Sequence, residues 1–181
     1  MPRAPRLPQG GPSLLDAGHA LAGTVPGGVE PSDGASGAAS ATGARRLVVE
    51  ADGGSRGNPG PAAYGALVRD ADSGEVLASE GLALGVATNN VAEYSGLVAG
   101  LEMARAIDPS ASVEVRMDSR LVIEQMAGRW RVKHPALRSL AARAQELRPH
   151  RVSWTWVPRE QNKAADALVN AALDGRPRTR G

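Results

Sequence analysis

The chain has 181 residues and a formal net charge of +2, which leaves room for one globular domain with a remainder. It contains no Cys, so a disulfide framework and a thiolate metal site are excluded, and a reducing compartment suits it. Phe is absent and aromatic residues are scarce, so a core must be built from aliphatic side chains, while a sequence pI of about 9.5 leans toward an anionic partner.

Residues 1–44 are rich in Gly, Pro, Ala and Ser, without aromatics and without helical or strand periodicity. Such a segment cannot bury enough apolar surface to offset its conformational entropy, and a disordered tail is expected over 1–44. Arg3 and Arg6 are followed by Pro8, Pro12 and Asp16, which interrupt the apolar core a secretory signal would need. No apolar run reaches the roughly eighteen residues of a membrane span, and a cytoplasmic protein with no membrane partner is expected.

Order is expected to begin at Arg45. Leu47-Val48-Val49-Glu50-Ala51 reads as a strand ending in an Asp52-Gly53-Gly54 turn. A second strand is expected over about Ala62–Arg69 and, after the turn residues Asp70 to Gly74, a third over about Glu75–Leu84. From Asn90 to Ile107 the apolar residues Val91, Tyr94, Val98, Leu101 and Ala104 fall at helical spacing, and Asp108-Pro109 stops the helix. Ser112–Met117 alternates as a fourth strand leading into Asp118-Ser119, a helix start for Leu121–Ala127. A further helix runs from Pro135 to about Leu147, Val152–Val157 is the last strand and Gln161–Leu173 the last helix. The order βββαβααβα describes an α/β domain over 45–174, a mixed five-stranded sheet flanked by helices, with its first three strands antiparallel. Residues 175–181 form a short, loose basic tail.

Four acidic residues sit at the ends of these elements among small or apolar neighbours: Asp52, Glu93, Asp118 and Asp166. Each has a local explanation. Asp52 suits an Asx turn, Asn90 with Glu93 a capping-box-like pair, Asp118 a helix N-cap, and Asp166 an ion pair with Lys163. Adjacent parallel strands would nevertheless bring Asp52 and Asp118 side by side. Ionised carboxylates gathered there need a cation, and hard oxygen ligands select Mg2+ or Mn2+.

Asp52-Gly53-Gly54-Ser55-Arg56-Gly57-Asn58-Pro59-Gly60-Pro61-Ala62-Ala63-Tyr64-Gly65, Thr88-Asn89-Asn90-Val91-Ala92-Glu93, Met117-Asp118-Ser119 and Asn162-Lys163-Ala164-Ala165-Asp166 resemble, in order, the four motifs of the type 1 ribonuclease H family. The resemblance extends from Leu47 to about Ala172. It implies an RNase H-like sheet of order 3-2-1-4-5. It also implies an endonuclease that cuts the RNA strand of RNA–DNA hybrids, with catalytic Asp52, Glu93, Asp118 and Asp166 holding two divalent ions and leaving 5′-phosphate and 3′-hydroxyl ends. No protein nucleophile is required.

The 2′-hydroxyl distinguishes RNA from DNA. Asn58, Thr88, Asn89, Asn90 and the backbone of Gly53, Gly54 and Ser55 are the candidates to read it. Between Gly128 and Arg151 lie Arg129, Arg131, Lys133, Arg138, Arg143, Arg148 and Arg151 against Glu146 alone, with Trp130 among them. In similar enzymes such a cluster contacts the DNA backbone, and Arg129, Trp130 and Lys133 are the expected contacts here. Arg143 and Arg148 suit a solvated helix face instead.

The loop Val157-Pro158-Arg159-Glu160-Gln161 lacks the His that many family members carry there; Arg159 can act on phosphate electrostatically but not as a base. The segment after Asp118 is too short for the basic helical handle of some relatives, which implies modest hybrid affinity. The alternative reading is a hybrid-binding module of the same fold that does not cut. A monomer is expected, and the partner domain of a larger bifunctional protein would lie outside this chain.

Overall fold

The alternation of Leu47, Val49 and Ala51 with Val48, Glu50 and Asp52 gives the first strand one face toward each layer of the fold. The computed structural model describes residues 44–176 and 178–180, so the tail expected over 1–44 lies outside the described residues but for Ala44. The strands are β1 (Arg46–Ser55), β2 (Gly60–Asp70), β3 (Val76–Ala87), β4 (Ser112–Met117) and β5 (Val152–Trp156), with β6 at Arg178–Arg180. The helices are α1 (Asn89–Ile107), α2 (Arg120–Met126), α3 (Pro135–Glu146) and α4 (Lys163–Leu173).

The sheet order is β5-β4-β1-β2-β3-β6, the expected 3-2-1-4-5 order extended by one strand. β1, β2 and β3 are antiparallel neighbours, while β4 runs parallel to both β1 and β5. The extra strand comes from the basic tail: Arg178 to Arg180 pair with Gly81 to Ser79 of β3. Three residues with alternating charge carry no hydrophobic period, so nothing in their pattern marks them as a strand; the unpaired edge of β3 supplies the hydrogen-bond partners.

One face of the sheet carries the main core. Leu47, Val49, Val113, Val115 and Met117 pack there against Tyr94, Leu97 and Leu101 of α1, Val122, Ile123 and Met126 of α2, and Leu137 and Ala144 of α3. The other face is covered by α4, whose Val169 and Ala172 meet Ala63. Among the described residues no helix is long and apolar enough to cross a membrane.

Of the boundaries that differ from expectation, three do so for a visible reason. β1 does not end in a turn at Asp52-Gly53-Gly54 but continues to Ser55, because Asp52 to Ser55 stay paired with Gly65 to Ala62 of β2. α1 begins at Asn89, where the Thr88 hydroxyl accepts from Val91 N. The last helix is divided, with a 3-10 turn at Arg159–Gln161 before α4 starts at Lys163.

Candidate active site

β1 and β4 lie side by side in parallel register, Val49 opposite Val115 and Glu50 opposite Arg116, so Asp52 and Asp118 emerge at the same end of the sheet. α1 brings Glu93 to that end and the first turn of α4 brings Asp166. All four carboxylates line one cavity of about 280 Å3 together with Gly53, Gly54, Ser55, Arg56, Asn89, Arg159 and Asn170. A larger cavity, about 500 Å3, lies toward the other end of the same strands around Arg46, Ser112 and Arg151; it contains none of the four.

Two glycines permit this convergence. A Cβ on Gly53 would stand 2.1 Å from the backbone of Ala92 and Glu93, and one on Gly65 would stand 2.4 Å from Ala165 O. Without side chains there, α1 and α4 can lie directly on β1 and β2.

Each carboxylate has a specific partner. Asp52 Oδ1 accepts from Gly53 N at 2.8 Å, and Asp118 Oδ1 accepts from Asn162 Nδ2 at 2.8 Å. Asp166 accepts from Arg159 Nη2 at 2.6 Å on one oxygen and from Asn170 Nδ2 at 2.9 Å on the other. Glu93 Oε1 accepts from Asn89 Nδ2 at 3.3 Å, while its Oε2 is buried without a hydrogen-bond partner. The local explanations do not describe these contacts. Ser119, not Asp118, occupies the N-cap of α2, Thr88 caps α1, and Asp166 pairs with Arg159 rather than Lys163.

Burial pushes the Asp52 carboxyl up to about 7, with the Asp118 and Asp166 charges adding to it. Burial likewise pushes Glu93 up to about 9, reinforced by Asp52 and Asp118. Oxygen donors, an orphaned buried carboxylate oxygen and mutual repulsion together fit a hard divalent cation. Among the described residues no three or more His, Cys, Asp or Glu side chains stand close enough together to hold a metal ion.

The other expected residues divide into two sets. Gly53, Gly54, Ser55, Asn89 and Arg159 line the cavity, and Asn58 Oδ1 accepts from Asn89 N, tying the loop after β1 to the start of α1. Thr88 serves as the cap, and Asn90 is exposed outside the cavity. Arg129, Trp130 and Lys133 are exposed on the loop after α2 and do not line the cavity. Arg129 pairs there with Glu124, whereas Arg143 pairs with Glu102 on α1, as suits a solvated helix face.

The sequence reading passed over Trp156 and Asn162. Trp156, half exposed at the end of β5, donates its indole N–H to Asp118 O at 3.0 Å. Asn162 is 1% exposed and donates to both Ala51 O and Asp118 Oδ1, bridging the ends of β1 and β4. It stands within the fourth motif, and that was the signal available. Replacing Asn162 by Ala leaves a buried carbonyl and a carboxylate oxygen without this donor. Denaturant titration should read a loss of about 1–3 kcal/mol.

A family model described as Reverse transcriptase-like matches residues 40–172. The bifunctional protein Rv2228c of Mycobacterium tuberculosis is 55% identical over 131 residues, covering 71% of this chain and 36% of the relative, so the chain spans about a third of that protein's length. Its N-terminal RNase H domain, solved as a fusion with maltose binding protein, matches with a TM-score of 0.70 and 53% identity over 74% of this chain and 96% of that one. RNase H1 of Halobacterium salinarum matches with a TM-score of 0.68 and 45% identity over 72% and 98%. This chain belongs to the type 1 ribonuclease H family. LC11-RNase H1, solved in complex with an RNA/DNA hybrid, is a further structural relative of this chain, with a TM-score of 0.68 and 38% identity over 71% of this chain and 97% of that one.

Proposed function

We propose that this chain is an endonuclease that hydrolyses the RNA strand of RNA–DNA hybrids, leaving 5′-phosphate and 3′-hydroxyl ends, with two divalent ions, Mg2+ or Mn2+, held by Asp52, Glu93, Asp118 and Asp166. The observation that carries the reading is the convergence of these four carboxylates in one cavity at the end of β1 and β4. When bound, the ions would activate the attacking water and stabilise the charge that builds on the scissile phosphate and the departing 3′ oxygen.

The chain's own groups prepare the remainder. Asn162 and the Trp156 indole fix Asp118 through its carboxylate and its carbonyl. Arg159 neutralises Asp166 in the free protein and is placed to meet a phosphate in its stead. The backbone of Gly53, Gly54 and Ser55, with Asn89, borders the carboxylates and offers donors and acceptors to a 2′-hydroxyl. The loop bearing Arg129, Trp130 and Lys133 lies outside the cavity, in keeping with a grip on the DNA strand away from the scissile bond. The hybrid bound by LC11-RNase H1 supports the substrate class.

The test is cleavage of a labelled hybrid with Mg2+ or Mn2+ and with chelator, beside Asp118→Asn. Cutting confined to the RNA strand, dependent on metal and absent in the variant, is the expected result. Tight binding without cutting under either ion would leave a hybrid-binding module.

A further inference from the structure

The loop that leaves α2 carries the exposed Trp130, Arg131 and Lys133, yet it is held on several sides. The backbone N–H groups of Arg129 and Trp130 both donate to Glu124 O, at 3.0 and 3.1 Å, and Val132 packs against the main core. Beyond those contacts, the Arg131 carbonyl is held by a side chain: Gln125 Nε2 donates to it at 3.1 Å. The amide oxygen of the same Gln125 accepts from the Tyr94 hydroxyl at 2.7 Å. Tyr94 is fully buried and immediately follows Glu93 on α1. A line of two hydrogen bonds therefore runs from the residue beside a catalytic carboxylate to the backbone of the basic loop.

The polarity of this line is fixed. A carbonyl only accepts, so the Gln125 NH2 is committed to Arg131 and its oxygen to Tyr94, which must donate. A Phe would fill the Tyr94 site equally well as an apolar residue; a buried hydroxyl is costly unless it is bonded. We infer that Tyr94 and Gln125 are positioning residues for substrate, holding the Trp130–Lys133 loop in the conformation that grips the DNA strand. The inference rests on the reading of that loop as the DNA-strand contact. A loop already ordered before the hybrid arrives loses less conformational freedom on binding, and the difference appears in affinity.

The experiment measures hybrid affinity by fluorescence anisotropy in an Asp118→Asn background with chelator, and KM and kcat in the otherwise native enzyme. Tyr94→Phe removes the donor without removing volume, and Gln125→Glu removes the donor to Arg131 without changing shape. Each is expected to weaken hybrid binding about 5–10-fold and to raise KM in proportion, with kcat within about twofold of the native enzyme. The double variant should lose no more than about the larger single loss, since both break one line. Unchanged affinity in the folded Gln125→Glu variant, or a fall in kcat with KM unaltered, overturns the inference. Trp130→Ala and Lys133→Ala separate the two claims. If these weaken binding while Tyr94→Phe and Gln125→Glu do not, the positioning role alone fails; if none of the four does, the loop is not the DNA contact.

Discussion

Replacing Asp52 by Asn will abolish hybrid cleavage and at the same time raise the melting temperature of the metal-free protein. The two effects have one cause. Asp52 is 7% exposed and faces the charges of Asp118 and Asp166, which is why its carboxyl is pushed up to about 7. The folded protein holds that proton more tightly than the unfolded chain, whose carboxyl titrates near 3.8. This group's contribution to stability is therefore complete below about pH 4, declines as pH rises through 7, and leaves a net penalty above it. Asn keeps the shape and still accepts from Gly53 N, but carries no charge. At pH 8 in chelator the variant should melt about 3–8 °C above the native protein, and the gap should close toward pH 4. Mg2+ should raise the native melting temperature and leave the variant's nearly unmoved. Loss of a cation ligand removes several kcal/mol of transition-state stabilisation, so cleavage should fall by roughly 10^3-fold or more. A variant that melts at or below the native protein in chelator at pH 8 would show that burial and the charges of Asp118 and Asp166 do not oppose an ionised Asp52 as placed here.

The same opposition between charge and local stability made the candidate site legible in the sequence. Carboxylates among Ala, Gly and Val at element ends oppose local stability, and four of them in recognisable surroundings marked the chemistry more clearly than any periodicity. The sheet order followed from a meander succeeded by alternating strands and helices. What the sequence did not disclose was settled by tertiary contact. Asp52-Gly53-Gly54 has the composition of a turn, yet β2 supplies partners as far as Ser55, and pairing outweighs turn propensity. Arg178-Thr179-Arg180 has no strand pattern and becomes one against the open edge of β3. Asn162 looked like motif background because its importance lies in reaching Ala51 and Asp118 at once, a relation between strands that are far apart in the chain. Tyr94 looked like an ordinary core residue on the apolar face of α1. Only its hydroxyl, aimed at Gln125, separates it from its neighbours.

The second large effect is expected at Gly53. Its φ is not in the left-handed region, so the argument concerns space rather than backbone freedom. The added methyl of Gly53→Ala would lie 2.1 Å from the carbonyl carbon of Ala92 and 2.1 Å from the amide nitrogen of Glu93. These are backbone atoms in the first turns of α1 and cannot swing aside as a flexible side chain would. Relief requires α1 to lift from β1, and that movement disturbs the main core to which Tyr94 and Leu97 of α1 and Val49 and Ala51 of β1 all belong. Gly53→Ala should therefore cost more than about 3 kcal/mol by denaturant titration, at or beyond the upper range for overpacking a core. Hybrid cleavage should fall with it, because the atoms displaced include the amide nitrogen of Glu93. Gly65→Ala makes the matching test for α4, where the methyl would meet Ala165 O at 2.4 Å. If Gly53→Ala loses less than about 1 kcal/mol and keeps its activity, α1 does not rest on β1 at this distance. Glu93 would then have to reach the other carboxylates by some route other than the direct contact of helix backbone with a bare strand.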